Sequence, residues 1–126
     1  MYQYKAKVTK VVDGDTVYVE ADLGFFIKTH LKLRLAGINA PEIRGEERPK
    51  GLEATEYLKK LLGDREVIIE TEKTGKYGRW IAKIYLEEVP ETPMTLEFER
   101  LNGKLHVDVN TSLVAAGHAV EVDYGS

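Results

Sequence analysis

"VVDGDTVYVE", residues 11–20, places two aspartates and a threonine inside a run of strand-forming residues. Valine and tyrosine favour strands, whereas aspartate and glycine disfavour them and favour turns. The stretch therefore predicts two strands joined by a tight turn at Asp13, Gly14 and Asp15. The two carboxylates either only close this turn or also take part in chemistry there.

Further strands are predicted on both sides of the turn, starting with residues 2–12 and 16–23. Residues 30–35 alternate between leucines and basic residues, and this period of two predicts a half-buried third strand. Strand patterns return at residues 65–72 and 80–87. The core of the chain is thus predicted as three strands, a connecting segment and two more strands.

The connecting segment is predicted to hold a long loop and a helix. Residues 37–51, "GINAPEIRGEERPKG", contain prolines and glycines that break regular structure, and long ordered loops in small domains often carry function. Residues 52–62 show the period of an amphipathic helix, which Gly63 can end. The apolar face of this helix is predicted to consist of Ala54, Leu58, Leu61 and Leu62.

Residues 87–104 are predicted to be an acidic insertion that contains a hairpin with Asn102 and Gly103 as its turn. It is either a solvated hairpin, or a segment that contacts a partner or restricts a substrate groove. After it, Asp108 is predicted to cap a short helix that runs through Ala116 and ends at Gly117.

Composition limits the class of protein. A chain of 126 residues with 43% hydrophobic residues predicts one domain, residues 1–126, with a real core. The absence of cysteine excludes a disulfide framework and a thiolate site. No apolar run approaches the roughly 20 residues that span a membrane, so no membrane partner is expected. The first residues do not form a signal peptide, which predicts a cytoplasmic protein, although a mature secreted chain would look the same.

The net charge of −3 argues weakly against a nucleic-acid partner, because phosphate affinity comes from lysine and arginine. The charges are unevenly distributed, however. Residues 1–86 hold 16 basic and 13 acidic residues, whereas residues 87–126 hold 2 and 8. The DGDT turn therefore lies in the part of the chain with a positive balance.

Polar residues gather at the predicted strand ends, where a small barrel could bring them to one mouth. Carboxylate and amide oxygens suit a hard cation such as calcium, and arginines suit a phosphate. Glu42 could then position or deprotonate a water molecule. Each element alone is weak: DGD is usually a turn, and the stretch lacks the further acidic residues of an EF-hand. The candidate residues are Asp13, Asp15, Arg34, Asn39, Glu42, Lys76, Tyr77 and Arg79.

Three motifs together are more specific than any one of them. VVDGDTV, LRLAGINAPE and KYGR occur in this order, with the predicted helix between the second and the third. This arrangement resembles the staphylococcal-nuclease-like, or thermonuclease, family from about Lys10 to Ala119. The resemblance implies a β-rich α+β fold: an OB-fold five-stranded barrel with two packed helices, here with the acidic hairpin insertion added.

The resemblance also implies an activity and a set of roles. Active family members are calcium-dependent phosphodiesterases that cut DNA and RNA by attack of water on phosphorus, leaving 3′-phosphate and 5′-hydroxyl ends. Single-stranded substrates and a monomeric protein are expected. The positions that match the calcium ligands are Asp15, Asn39 and the carbonyl of Ala40, and Asp13 and Thr16 match residues beside the metal. The positions that match the catalytic residues are Arg34, Glu42 and Arg79. Lys76 and Tyr77 match residues that contact the substrate.

The sequence departs from the family pattern in two places that bear on function. Asn39 stands where well-studied members have a second calcium-binding aspartate, so weaker calcium binding is expected. Few tyrosines follow the second predicted helix, and Tyr124 is the one available to contact a base, so stacking could come from Tyr77 or Tyr18. These departures and the acidic net charge support an alternative: a non-catalytic OB-fold module that binds nucleic acid or a protein partner.

Overall fold

The chain folds into nine strands and two helices over the residues that this computed structural model describes, 2–74, 80–91 and 93–122. The helices are α1 (Arg48–Leu62) and α2 (Val109–Ala115). The strands are β1 (Tyr2–Asp13), β2 (Thr16–Asp22), β3 (Lys28–Leu35), β4 (Ile38–Asn39), β5 (Glu66–Thr74), β6 (Trp80–Leu86), β7 (Phe98–Leu101), β8 (Lys104–Asp108) and β9 (Val120–Glu121).

Five of these strands close into a barrel with the order β3-β2-β1-β5-β6. Neighbouring strands in this order are antiparallel, and the barrel closes where Leu33–Leu35 of β3 runs parallel to Trp80–Ala82 of β6. Closure leaves few unpaired strand edges in the barrel wall. The predicted OB-fold barrel with two helices is confirmed.

The alternation of apolar and polar residues along the strands decides which side chains fill the barrel. Val17 and Val19 on β2, and Leu33 and Leu35 on β3, are completely buried, and the residues between them face outward. This alternation fixes the register, because a slip of one residue would turn every buried side chain to solvent. The apolar face of α1 covers this core with Ala54, Leu58, Leu61 and Leu62, each completely buried.

Helix α1 begins earlier than the sequence predicts. Residues 48–51 were expected to belong to the loop because they include Pro49 and Gly51, but the helix starts at Arg48. Proline is tolerated in the first turn of a helix, where its missing N–H has no partner to lose. Gly63 ends the helix as predicted, and its N–H bonds to the Lys59 carbonyl. Within the described residues, no helix is long and apolar enough to cross a membrane.

The acidic segment is part of the sheet. Strands β7 and β8 form the predicted hairpin, with Asn102 and Gly103 at φ 54° and 81°, the positive values that such a tight turn requires. β8 then pairs with β6, and Leu101 and Val107 are buried. The hairpin therefore extends the sheet through β8, while residues 98–100 and 102–104 are exposed, as the predicted solvated hairpin requires. The alternative, that the segment contacts a partner or restricts a substrate groove, stays a prediction.

Helix α2 contributes a buried side-chain amide that is hydrogen-bonded to the barrel wall. Asp108 caps the helix as predicted, accepting a hydrogen bond from the Thr111 N–H at 3.1 Å. Asn110 donates to the carbonyls of Ala36 and Ala82 and accepts from the N–H of Ile84. These backbone groups lie where β3 and β6 meet, so Asn110 holds the closure of the barrel beside the end of β3.

Candidate active site

The DGDT turn places a buried carboxylate at one end of the barrel. Asp13 accepts a hydrogen bond from the Asp15 N–H at 3.1 Å, which closes the turn. The Asp15 residue is 8% exposed. One of its oxygens accepts from the Thr16 hydroxyl at 3.2 Å, and the other accepts from the Ala40 N–H at 2.8 Å. Asp13 and Thr16 therefore orient Asp15, and Ala40 ties the turn to the segment after β3.

Arg34 contacts both the Asp15 carboxylate and the side-chain amide of Asn39, which is one of the predicted calcium ligands. Its Nη2 atom lies 3.3 Å from Asp15 Oδ2 and donates to Asn39 Oδ1 at 2.9 Å. Its Nη1 atom donates to the Leu35 carbonyl at 3.1 Å. Arg34 lies opposite Thr16 in the β2–β3 register, so strand pairing fixes its place beside the turn. The Asp15 and Asn39 oxygens thus converge on one guanidinium nitrogen.

Burial governs the ionisation of Asp15. Removal from water raises the pKa of its carboxyl to about 6, and the hydrogen bond with Asp13 adds to the rise. The Ala40 N–H and the positive charge of Arg34 lower the pKa but offset only part of the effect of burial. Asp15 is therefore a weaker acid than a carboxyl group in water, because the effect of burial exceeds that of the two contacts that favour its ionised form.

Glu42 lies on the loop that follows β4, and its side chain is exposed. Its N–H donates to Glu47 Oε2 at 3.0 Å, and Arg48 Nη1 donates to the Ile43 carbonyl at 3.1 Å. Residues at the start of α1 therefore hold the loop at Glu42 and Ile43. The hydrogen bond between Asp15 and the Ala40 N–H holds it at its other end. Sequence reasoning missed Glu47 and Arg48, because it assigned both residues to an irregular loop.

Two glycines allow the turn, the loop and α1 to approach one another. A Cβ atom at Gly14 would lie 2.7 Å from the Ala40 Cβ and 2.8 Å from the Ala54 Cβ. A Cβ atom at Gly51 would lie 2.2 Å from the Glu42 carbonyl oxygen. Both positions therefore require glycine for close contact. The glycine of DGDT was visible in the sequence, but its packing role depends on a helix far along the chain.

Replacing Gly51 with alanine is expected to lower the free energy of unfolding by about 1–3 kcal/mol, the usual range for overpacking. Alanine normally stabilises a helix by about 1 kcal/mol relative to glycine. Here the new methyl group meets backbone atoms of Glu42 that cannot rotate away, so the clash outweighs the helix preference. Urea denaturation measures the change.

The exposed neighbour Lys50 supplies the control, because Lys50→Ala alters the same helical turn without entering the loop contact. It is expected to change the free energy of unfolding by less than about 0.5 kcal/mol. Equal or greater stability in Gly51→Ala would show that the loop carrying Glu42 is not held by this contact.

Part of the predicted site lies outside the described residues. Lys76, Tyr77, Arg79 and Tyr124 fall there, so their predicted roles stay predictions. The described part of the chain brings together Asp13, Asp15, Thr16, Arg34, Asn39 and Ala40, and it places Glu42 two residues beyond Ala40.

The donor atoms at this site fit a hard cation with few protein ligands. Asp15 offers a buried carboxylate, and Asn39 offers an amide oxygen. Both groups contact the same nitrogen of Arg34. Oxygen donors of this kind are those that calcium takes. Among the described residues, no three His, Cys, Asp or Glu side chains cluster as a metal site, so a cation here would also depend on amide and backbone oxygens.

Comparison with known proteins gives a consistent picture. Residues 32–126 match a family model described as staphylococcal nuclease homologue. An uncharacterized protein of Methanocaldococcus jannaschii is 35% identical over 106 residues, which cover 66% of this chain and 49% of that protein. A thermonuclease of Staphylococcus hyicus is 34% identical over 85 residues, covering 64% and 47%.

An uncharacterized endonuclease of Escherichia coli O157:H7 is 28% identical over 79 residues, covering 63% of this chain and 46% of that protein. The chain thus spans about half the length of the curated relatives it matches.

Proposed function

Because the chain belongs to the staphylococcal nuclease homologue family, we propose that it is a calcium-dependent nuclease that hydrolyses phosphodiester bonds of DNA, RNA or both. The observation that carries this proposal is the meeting of Asp15, Asn39 and Arg34 at one end of the barrel. One carboxylate, one amide oxygen and one guanidinium offer ligands to a cation and donors to a phosphate at the same place.

Calcium would be held by the Asp15 carboxylate, the Asn39 amide oxygen and the Ala40 carbonyl. Bound there, it would supply positive charge to the phosphate oxygens and to the negative charge that grows in the transition state. The geometry supports this assignment, because the Asp15 carboxylate and the Asn39 amide oxygen both lie against the same Arg34 nitrogen. Asp13 and Thr16 keep the carboxylate in position through their hydrogen bonds.

Arg34 would bind the scissile phosphate. Its planar guanidinium can donate two parallel hydrogen bonds to phosphate oxygens, which a lysine cannot do. Arg79, the last residue of the KYGR motif, would supply a second guanidinium, and Lys76, Tyr77 and Tyr124 would contact the rest of the nucleotide. The pairing of β3 with β2 supports the role of Arg34, because it fixes the guanidinium next to Asp15.

Glu42 would activate the attacking water. The carboxylate takes a proton from water while the water oxygen forms a bond to phosphorus. The bond from phosphorus to the 5′ oxygen then breaks, and that oxygen takes a proton from solvent water, leaving a 5′-hydroxyl and a 3′-phosphate. The exposure of Glu42 on a loop held at both ends supports this role, because the side chain is open to solvent while its backbone is fixed.

End-group analysis tests this assignment of the bond that breaks. A single-stranded oligonucleotide digested with calcium should yield fragments whose 3′ ends a phosphatase can dephosphorylate and whose 5′ ends accept phosphate from a kinase. Fragments with 5′-phosphate ends would contradict the proposed bond cleavage.

A non-catalytic OB-fold module is the second candidate. The net charge of −3 and the replacement of a charged ligand by Asn39 favour it. A module that only binds its partner has no need for this glutamate together with the two arginines of the family motifs. The retention of Arg34, Glu42 and Arg79 therefore favours the nuclease.

Replacing Asn39 with aspartate is expected to tighten calcium binding about tenfold, because affinity in calcium sites follows the charge of the ligands. Isothermal titration calorimetry measures the dissociation constant. Asn102→Asp is the matched control, because it adds the same charge at the exposed turn of the β7–β8 hairpin. A micromolar dissociation constant for the unaltered chain, or equal affinities of the unaltered chain and Asn39→Asp, would contradict this expectation.

A further inference from the structure

Three side chains form a row across the outer face of the barrel. In the β1–β2 register Lys10 lies opposite Tyr18, and in the β2–β3 register Tyr18 lies opposite Lys32. Directly opposite residues share one face of a sheet, and the buried Val17 and Leu33 next to them show that this face is the outer one. Lys10, Tyr18 and Lys32 are named here the lysine–tyrosine row.

The chemistry of this row suits a nucleic acid. Tyr18 is 37% exposed, and the Lys32 ammonium lies 5.6 Å from the centre of its ring. Within the described part of the chain, no carboxylate forms an ion pair with Lys10 or Lys32, whereas Lys28 and His30 both face Glu20, at 3.6 and 3.7 Å. A partly exposed aromatic ring can stack on a base, and the two uncompensated cations beside it can contact phosphates.

The row lies directly next to the candidate active site. Thr16 and Arg34 form the adjacent pair in the β2–β3 register, two residues along each strand from Tyr18 and Lys32. Two residues of a strand span about 7 Å, a distance that an extended nucleotide can cover. A strand of nucleic acid with a phosphate at Arg34 would therefore pass over the lysine–tyrosine row if it continued along β2 and β3.

We propose that the lysine–tyrosine row is a binding subsite for single-stranded nucleic acid, which receives the nucleotide next to the scissile phosphate. Tyr18 stacks on its base, and Lys10 and Lys32 contact its phosphates. A duplex is disfavoured, because its bases are stacked on one another and cannot reach the tyrosine ring. The location of the scissile phosphate at Arg34 rests on the proposed function, whereas the chemistry of the row does not.

Binding is measured with the full chain carrying Glu42→Gln, so that the probe is not consumed. The longer probe is a fluorescent single-stranded DNA of about twelve nucleotides, within the range of OB-fold site sizes, and inorganic phosphate, which has no base, is the second probe. Tyr18→Ala and Lys32→Ala are each expected to weaken binding of the longer probe about tenfold, and binding of inorganic phosphate by less than about twofold. Tyr18→Phe keeps the ring and is expected to bind like its parent.

Two further measurements separate this subsite from general surface effects. Lys32→Ala should reduce the dependence of log affinity on log salt by about 0.7, the loss of one phosphate contact to a single strand. Phe26→Ala removes another exposed aromatic ring, at the far end of the β2–β3 hairpin, and should leave affinity unchanged. Equal losses in Phe26→Ala and Tyr18→Ala would overturn the assignment, as would unchanged affinity of the longer probe in Tyr18→Ala and Lys32→Ala.

The subsite and the proposed function can fail separately. If the unaltered chain cuts no substrate but the row variants lose affinity as expected, the nuclease proposal fails and the subsite is supported. If the unaltered chain cuts substrate and the row variants bind the longer probe normally, the subsite is overturned and the nuclease proposal is unaffected.

Discussion

Replacing Glu42 with glutamine is expected to lower the rate of cleavage about 100-fold or more, which corresponds to about 2.7 kcal/mol of transition-state stabilisation. Glutamine has nearly the same shape but cannot accept the proton of the attacking water. The fold should not change, because the hydrogen bond that holds the residue comes from its backbone N–H. Single-turnover cleavage of a labelled single-stranded oligonucleotide in calcium measures the effect.

Glu46→Gln provides the comparison. Glu46 is an exposed glutamate in the short helical turn that precedes α1, so the change removes the same charge from the same segment. Its rate is expected to stay within about twofold of the unaltered rate, because surface charge alone acts weakly at physiological salt. Similar rates for Glu42→Gln and the unaltered chain would remove Glu42 from the mechanism.

Replacing Arg34 with lysine is expected to lower the cleavage rate by about 10² to 10³, the usual loss for one preorganised donor to the transition state. Lysine keeps the positive charge but loses the planar fork that binds two phosphate oxygens. It also has a single nitrogen, so it cannot keep the contacts of Nη2 with Asp15 and Asn39 while replacing the hydrogen bond from Nη1 to the Leu35 carbonyl. Rates at saturating substrate show the loss directly.

The matched control is Arg100→Lys, an exposed arginine on β7 in the hairpin. It should cleave at the unaltered rate. Circular dichroism of both variants establishes that each is folded before rates are compared. An Arg34→Lys variant that is folded and fully active would show that charge alone, without the guanidinium geometry, is sufficient at this position.

Much of the site could be predicted because strand periodicity determines where side chains go. The alternation around Leu33 places Arg34 on the face opposite the core, and the DGDT composition places Asp15 in a turn at the strand end. Asn39 follows β3 closely, so the strand pattern also predicts it at the same end of the barrel. The role of Ala40 is implied only by the family resemblance.

The rest depended on contacts between distant segments. Gly51 looked like a loop residue, yet it packs in a helix against the Glu42 backbone, and no local pattern marks such a contact. The pairing of β8 with β6 was likewise hidden, because the acidic residues of residues 87–104 suggested solvent exposure and not a place in the sheet. The three-residue row across β1, β2 and β3 became visible only with the register.

The uneven charge of the chain agrees with the position of the site. The acidic excess lies in residues 87–126, whereas the candidate ligands, Arg34 and the lysine–tyrosine row all lie within residues 1–86. A negative total charge is therefore compatible with a nucleic-acid substrate, because the candidate site residues come from the part of the sequence with a positive balance.

Cleavage of single-stranded DNA, compared in calcium and in chelator, is the decisive experiment for a calcium-dependent nuclease. We expect fragments in millimolar calcium and none in chelator, with activity restored when calcium is returned. No cleavage by the folded chain at any calcium concentration would contradict the nuclease assignment and leave the non-catalytic OB-fold module as its function.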